Sequence, residues 1–206
     1  MSSIGHILPR NHPKPRIKLA VWFGLFMIGL MLLSSFAFVL DYKSTQNVAT
    51  STYGNYTFTP AQNKWKTEIN GNDLTFTYLP EQLEHTNISL DAIQILQSTR
   101  VFWITYDPYS EFSDLLGGIQ YTNDDLLKLG KQMYVQRALL NNSEYPDLPQ
   151  INCGNATVTE PVLMFMQANE TNLNIDKSCI IISAANDEDF LKLNERLMYS
   201  ILGVMQ

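Results

Sequence analysis

The chain has 206 residues, 45% of them hydrophobic, with a formal net charge of −6, which suits one domain of ordinary size with a true core. An acidic balance of 20 Asp and Glu against 14 Lys and Arg, with no basic stripe, argues against nucleic-acid binding. Two cysteines and three histidines, without ligand spacing, exclude a His/Cys metal site.

The first 18 residues contain Arg10, Lys14, Arg16 and Lys18 and no acid, and they read as a short basic tail. Leu19 to Leu40 follows without a charged side chain; about 22 residues at 1.5 Å each span roughly 33 Å, the thickness of a bilayer core. The ten remaining basic residues and all 20 acids lie after this run, so the later part carries about −10. The positive-inside rule therefore predicts a single-pass helix with a cytoplasmic N-terminus and an extracellular or lumenal C-terminal part. Trp22 and Phe23, and Asp41 and Tyr42, stand where interfacial residues are expected. A cleaved signal peptide is the competing reading, since Ser35-Phe36-Ala37 loosely resembles a cleavage site, but the apolar run is long and continues through Phe38-Val39-Leu40. No processing glycine precedes the run, as a pilin-like leader would require. Gly24 and Gly29 could support helix pairing, without GxxxG spacing.

Residues 41–55 are polar and lack periodicity, so they read as a linker. From residue 56 to 206 the expected fold is an α/β or α+β domain, a mixed sheet flanked by helices. Tyr56–Thr59, Lys64–Ile69 and Leu74–Tyr78 read as strands, with Asn70-Gly71 as a tight hairpin turn. Ser89 is placed to cap a helix running to about Arg100, and Val101–Tyr106 reads as a strand buried on both faces. Between Glu111 and Leu140, Gly117-Gly118 and Thr122-Asn123 predict a break, with a second helix near Asp124–Gly130. Tyr134–Leu139 suits a short strand or a helix. Val162–Gln167 and Ser178–Ser183 read as buried strands. A last helix is capped by Asn186, with acids in its first turn and Phe190, Leu193, Leu197, Ile201 and Val204 at helical spacing.

Five N-x-Ser/Thr sequons, at Asn55, Asn87, Asn141, Asn155 and Asn169, all lie after the apolar run and are candidate glycosylation sites. Cys153 and Cys179 lie there too. In an oxidising compartment the simplest state is a disulfide, closing a loop of about 27 residues with roughly 3 kcal/mol of stabilisation. Buried free thiols and redox chemistry are the alternatives, the latter weakened by the absence of CxxC.

Catalytic patterns are sparse. His85, the one histidine after the apolar run, has no nucleophile elbow to serve. Asp107 follows a strand, where acids often act, yet Asp107-Pro108 is also a turn opener. Asp114, Asp124 and Asp125 could share a cation, but Thr122-x-x-Asp125 fits a helix cap better. Gly117-Gly118 lacks the lysine of a phosphate loop, and Glu68, Asp73, Glu81 and Glu84 suggest no glycosidase pair. No cofactor or metal is expected.

The order strand, Pro161, strand, helix resembles the second half of a thioredoxin-like fold, though no CxxC follows Val101–Tyr106. A second resemblance rests on Asn152-Cys153, Asn155-Ala156-Thr157, Pro161-Val162, Asn169-Glu170-Thr171, Cys179-Ile180-Ile181, Asp189-Phe190-Leu191, Glu195–Tyr199 and Ile201-Leu202-Gly203. These look like segments of a group of uncharacterised archaeal single-pass membrane-anchored proteins, and the resemblance implies an archaeal cell-surface location and a recurring cysteine pair. The expectation is a non-catalytic accessory or interaction domain with a protein partner at the cell surface. A thioredoxin-like redox or other enzyme domain, and a structural subunit assembling through its anchor, are the alternatives.

Overall fold

A computed structural model describes residues 19–44 and 49–206, so the basic tail lies outside the described residues. The chain divides into two units, 1–48 and 49–206. In the first, α1 spans Leu19–Ser44, and its described side chains, Val21 to Ser34, are exposed apart from the half-buried Gly29. Among the described residues no helix is long and apolar enough to cross a membrane.

The second unit is mixed α/β with two sheets. The first is an antiparallel meander of β1 (Ser51–Tyr53), β2 (Tyr56–Ala61), β3 (Lys64–Ile69) and β4 (Asn72–Phe76), in that order. Asn70 and Gly71, at φ 52° and 78°, form the predicted hairpin turn, in which both central residues need positive φ. β1 falls inside the stretch read as linker. It has no apolar alternation of its own and is held by pairing Ser51–Tyr53 with Tyr56–Phe58.

A short 3-10 turn (Pro80–Leu83) leads to α2 (Leu90–Gln97), where Ser89 Oγ accepts the Asp91 N–H at 3.2 Å, as its sequence position predicts. α2 stops before Arg100 because Ser98 Oγ donates to Ile95 O and Thr99 Oγ1 turns to Val101 O. There follow β5 (Val101–Tyr106), α3 (Ser113–Lys131), β6 (Tyr134–Arg137), β7 (Val162–Gln167), β8 (Asn172–Asp176), β9 (Cys179–Ala184) and α4 (Asp187–Leu202). The second sheet runs β6-β5-β7-β9-β8, parallel except for β8, which pairs antiparallel with β9 at the edge. Three strands therefore follow Pro161, and the simple strand-Pro161-strand-helix order fails at β8. Its Asn and Asp residues, poor strand formers, hid it, although Leu173 and Ile175 alternate as strand residues do.

The predicted break in α3 is absent. Leu116, Ile119, Leu126 and Leu127 form a buried stripe, and Thr122 is an interior residue whose Oγ1 donates to Gly118 O. Burying that stripe outweighs about 1 kcal/mol per interior glycine. Gly117 also lies under the Tyr106 ring, where a Cβ would sit 3.0 Å from the hydroxyl.

Helix α4 is the hub. Asn186 caps it, accepting the Asp189 N–H at 2.9 Å, and Gly203 ends it at φ 80°. One side meets the parallel sheet through Phe190 against Phe165, and the other meets the meander through Tyr199, which stacks on Phe76 at 4.1 Å. Its last carbonyls accept from Gln97 Nε2 and Lys131 Nζ, satisfying groups a helix end leaves bare. The opposite face of the parallel sheet carries Trp103, Val162, Met164 and Cys179. It is covered by the irregular segment 138–160 through Leu140, Ile151 and Cys153. Val101–Tyr106 is thus covered on both faces, by helices on one and by a loop on the other.

Candidate functional site

The cysteines form a disulfide, with Cα atoms 5.2 Å apart, and no free cysteine exists among the described residues. Cys153 sits in a 3-10 turn that Asn152 caps by accepting the Gly154 N–H, and Cys179 opens β9 and is fully buried. The bond fastens the covering segment to the sheet. The five sequon asparagines are all exposed: Asn55 in the β1–β2 turn, Asn87 before α2, Asn141 and Asn155 in the covering segment, and Asn169 after β7. Asn141 and Asn155 use Oδ1 to accept local N–H groups. The Nδ2 atoms, where a glycan would attach, donate no hydrogen bond among the described residues in any of the five.

Other sequence candidates disperse. His85 is exposed in a loop beside Asn87 and Asp189, away from any nucleophile–base arrangement. Asp114 and Asp124 are ten residues apart on one continuous helix, roughly 15 Å along its axis. Asp124 Oδ1 instead accepts the Val135 N–H, and no group of three potential metal ligands occurs among the described residues. Asp107 does stand at the carboxyl end of β5, in a depression with Phe165 and Gln167 at the end of β7. β6 lies on one side of β5 and β7 on the other, which makes this the switch point where open α/β sheets bind ligands. Yet Asp107 Oδ1 accepts the Tyr109 N–H in a local turn, and Gln167 Nε2 donates to Glu111.

Two clefts flank the helices. The larger, about 370 Å³, lies between the meander, α3 and α4 over Glu195, Asn194 and Leu191. Its polar floor is already committed. Glu195, 7% exposed, accepts the Thr77 and Tyr78 N–H groups at 2.7 and 2.8 Å, tying the end of β4 to α4. Burial raises the Glu195 pKa, and those two N–H groups oppose the rise. Asn194 and Asn123 exchange two amide hydrogen bonds at 2.7 and 3.1 Å.

The smaller cleft, about 220 Å³, lies at the carboxyl ends of β5 and β6 against the start of α3. Gln120, 2% exposed, forms its floor, its Nε2 donating to Ile104 O and Ala138 O at 2.8 and 2.9 Å. Arg137, the last residue of β6, lies over the Tyr121 ring at 4.1 Å and makes no ion pair among the described residues. The Tyr106 pKa is raised first by burial, then by Tyr145, Tyr121 and Asp114, with Arg137 opposing. The far wall is the segment around Tyr145 and Leu148, held by Asn142 Nδ2 to Leu148 O and by the Leu139–Pro149 and Ile151–Leu139 backbone bonds. Sequence reading passed over Gln120 and Arg137. Once α3 is continuous, a glutamine in its apolar stripe is the signal that finds this cleft.

No protein-family model, curated protein or solved structure matches the chain.

Proposed function

We propose that this protein is a recognition domain held outside the cell by a single N-terminal membrane anchor, acting as a non-catalytic accessory subunit whose partner is another protein at the cell surface. The observation that carries it is the carboxyl end of the parallel sheet. Tyr109, Tyr121, Tyr145 and Met166 are 51%, 60%, 50% and 41% exposed there, around two depressions. Tyrosine and methionine are enriched at protein interfaces, where rigid amphipathic rings contribute area at small entropic cost.

The export half of the reading is supported by the Cys153–Cys179 bond and by five exposed sequon asparagines whose Nδ2 atoms donate no hydrogen bond among the described residues. The anchor rests on the 22-residue uncharged run and on the charge asymmetry across it. A redox role is disfavoured: Cys179 is fully buried and bonded, so an attacking thiolate meets only the half-buried Cys153.

The test expresses the full chain in a host that glycosylates exported proteins. The expected result is a species that resists carbonate extraction, shifts on deglycosylation, is cleaved by external protease after residue 44, and is alkylated only after reduction. A carbonate-soluble, unglycosylated chain with two alkylatable thiols would sink it. An anchor-driven assembly would instead appear as a large particle in detergent, and a monomer would remove that alternative.

A further inference from the structure

The carboxyl-end cleft contains polar groups that the fold leaves unused. Gln120 is only 2% exposed, and its amide donates to Ile104 O in β5 and to Ala138 O just past β6, which orients it. Its Oε1 accepts no hydrogen bond among the described residues and is not sealed from solvent, and the side chain lines the cleft. An acceptor oriented by the fold and left accessible is placed to receive a ligand donor. Arg137 is fixed by its stack on Tyr121, with its N–H fork uncommitted. Asp114, exposed on the rim, has no ion-pair partner among the described residues, Arg137 included. One uncommitted cation, one uncommitted anion and one buried acceptor, walled by Tyr106 and Tyr145, match a molecule with complementary groups.

We infer that this cleft binds an α-amino carboxylate: Arg137 takes the carboxylate as a bidentate pair, and Gln120 Oε1 accepts the N–H on the adjacent carbon. A simple anion would leave Gln120 unsatisfied and would face Asp114. A simple cation would face Arg137. The volume of about 220 Å³ admits a single residue rather than a longer segment. The same chemistry is offered by a free amino acid and by the last residue of a peptide. Asp114 favours the free ammonium. The inference deepens the recognition reading and rests on it for the identity of the recognising surface.

Binding is measured on the full chain in detergent, by calorimetry and thermal shift. The probes are the 20 free L-amino acids, their N-acetyl forms as peptide-end mimics, and their C-terminal amides. The expected result is saturable binding of at least one free amino acid. Its N-acetyl form is weaker and its amide at least tenfold weaker. Arg137→Met, at a half-exposed site, should lose at least tenfold in affinity while keeping the far-UV spectrum and unliganded Tm. Arg137→Lys should retain part of the affinity, since it keeps charge and loses the fork. Tighter binding of an N-acetyl form would support the inference and assign a peptide end as the source. Failure of every carboxylate probe, equal binding of the amides, or binding unchanged in Arg137→Met would overturn it. Failure here with intact topology and glycosylation would leave the surface-domain reading standing; failure of the topology test with intact binding would remove only that reading.

Discussion

Replacing Cys153 and Cys179 with alanine tests the idea that a loop, rather than a helix, seals one face of the parallel sheet. The bond closes a loop with a sequence separation of 26. Chain-entropy bookkeeping gives about 12 cal/mol/K, or about 3.5 kcal/mol at 25 °C, lost when the cross-link is removed. The second unit runs from Ala49 to Gln206, about 160 residues, so its unfolding entropy near the midpoint is about 0.33 kcal/mol/K. The expected drop in Tm is therefore about 10 °C. The single Cys153→Ala variant keeps the buried Cys179 sulfur and separates the cross-link from packing. Hydrogen exchange should localise the effect, with 138–160 losing protection before β7 and β9, because the bond holds that segment over Val162 and Met164. Differential scanning calorimetry of oxidised wild type against the double variant reads the magnitude. A loss below about 3 °C, or exchange unchanged in 138–160, would refute the stapling argument.

Glu195→Gln should destabilise the domain by about 1–3 kcal/mol at neutral pH, because the new amide can accept from only one of the Thr77 and Tyr78 N–H groups. The folded carboxyl pKa lies above its unfolded value, so between the two the native state holds more protons and stability falls as pH rises. Wild-type Tm should therefore decline more steeply than that of Glu195→Gln from pH 4.5 upward, and parallel profiles in thermal scans would contradict this. Gly130→Ala should cost about 1–3 kcal/mol, since its Cβ would meet Leu202 Cδ2 at 2.5 Å and Leu74 Cδ1 at 3.0 Å; denaturant melts measure it. Asn123→Ala should cost about 1–3 kcal/mol by stranding Asn194, and the Asn123→Ala/Asn194→Ala pair should lose much less than the sum. Additive losses in that cycle would mean that the amides do not depend on each other.

Local chemistry was readable wherever a residue's role depends on its immediate neighbours. Asn70-Gly71 supplies its own turn, Ser89 and Asn186 their own caps, and Val101–Tyr106 and Val162–Gln167 their own strands, because backbone preference and side-chain pattern agree there. The apolar stripe of α4 was legible for the same reason. Elements with a weak local pattern, or with a local signal that burial overrides, were not. β8 and β1 each pair with the next strand across a two-residue turn, Asp176 with Cys179 and Tyr53 with Tyr56, but both are short and largely polar, which leaves little apolar pattern to read. The glycine pair in α3 signals a break, and only the burial of Leu116, Ile119, Leu126 and Leu127 overrides it.

The candidate site divides along the same line. Asp107 could be singled out from its place after a strand, and the structure commits it to a turn. Gln120 and Arg137, 17 positions apart, carry no shared motif. They meet because a parallel crossover sets the end of β6 beside the end of β5 under α3. The amino acids themselves determined composition-level properties: a long uncharged run, a charge gradient across it, sequons confined to one side of it, and a cysteine pair able to bond. Tertiary structure alone decided which polar groups satisfy one another and which stay open, since hydrogen-bond partners in a folded core come from positions far apart in the chain.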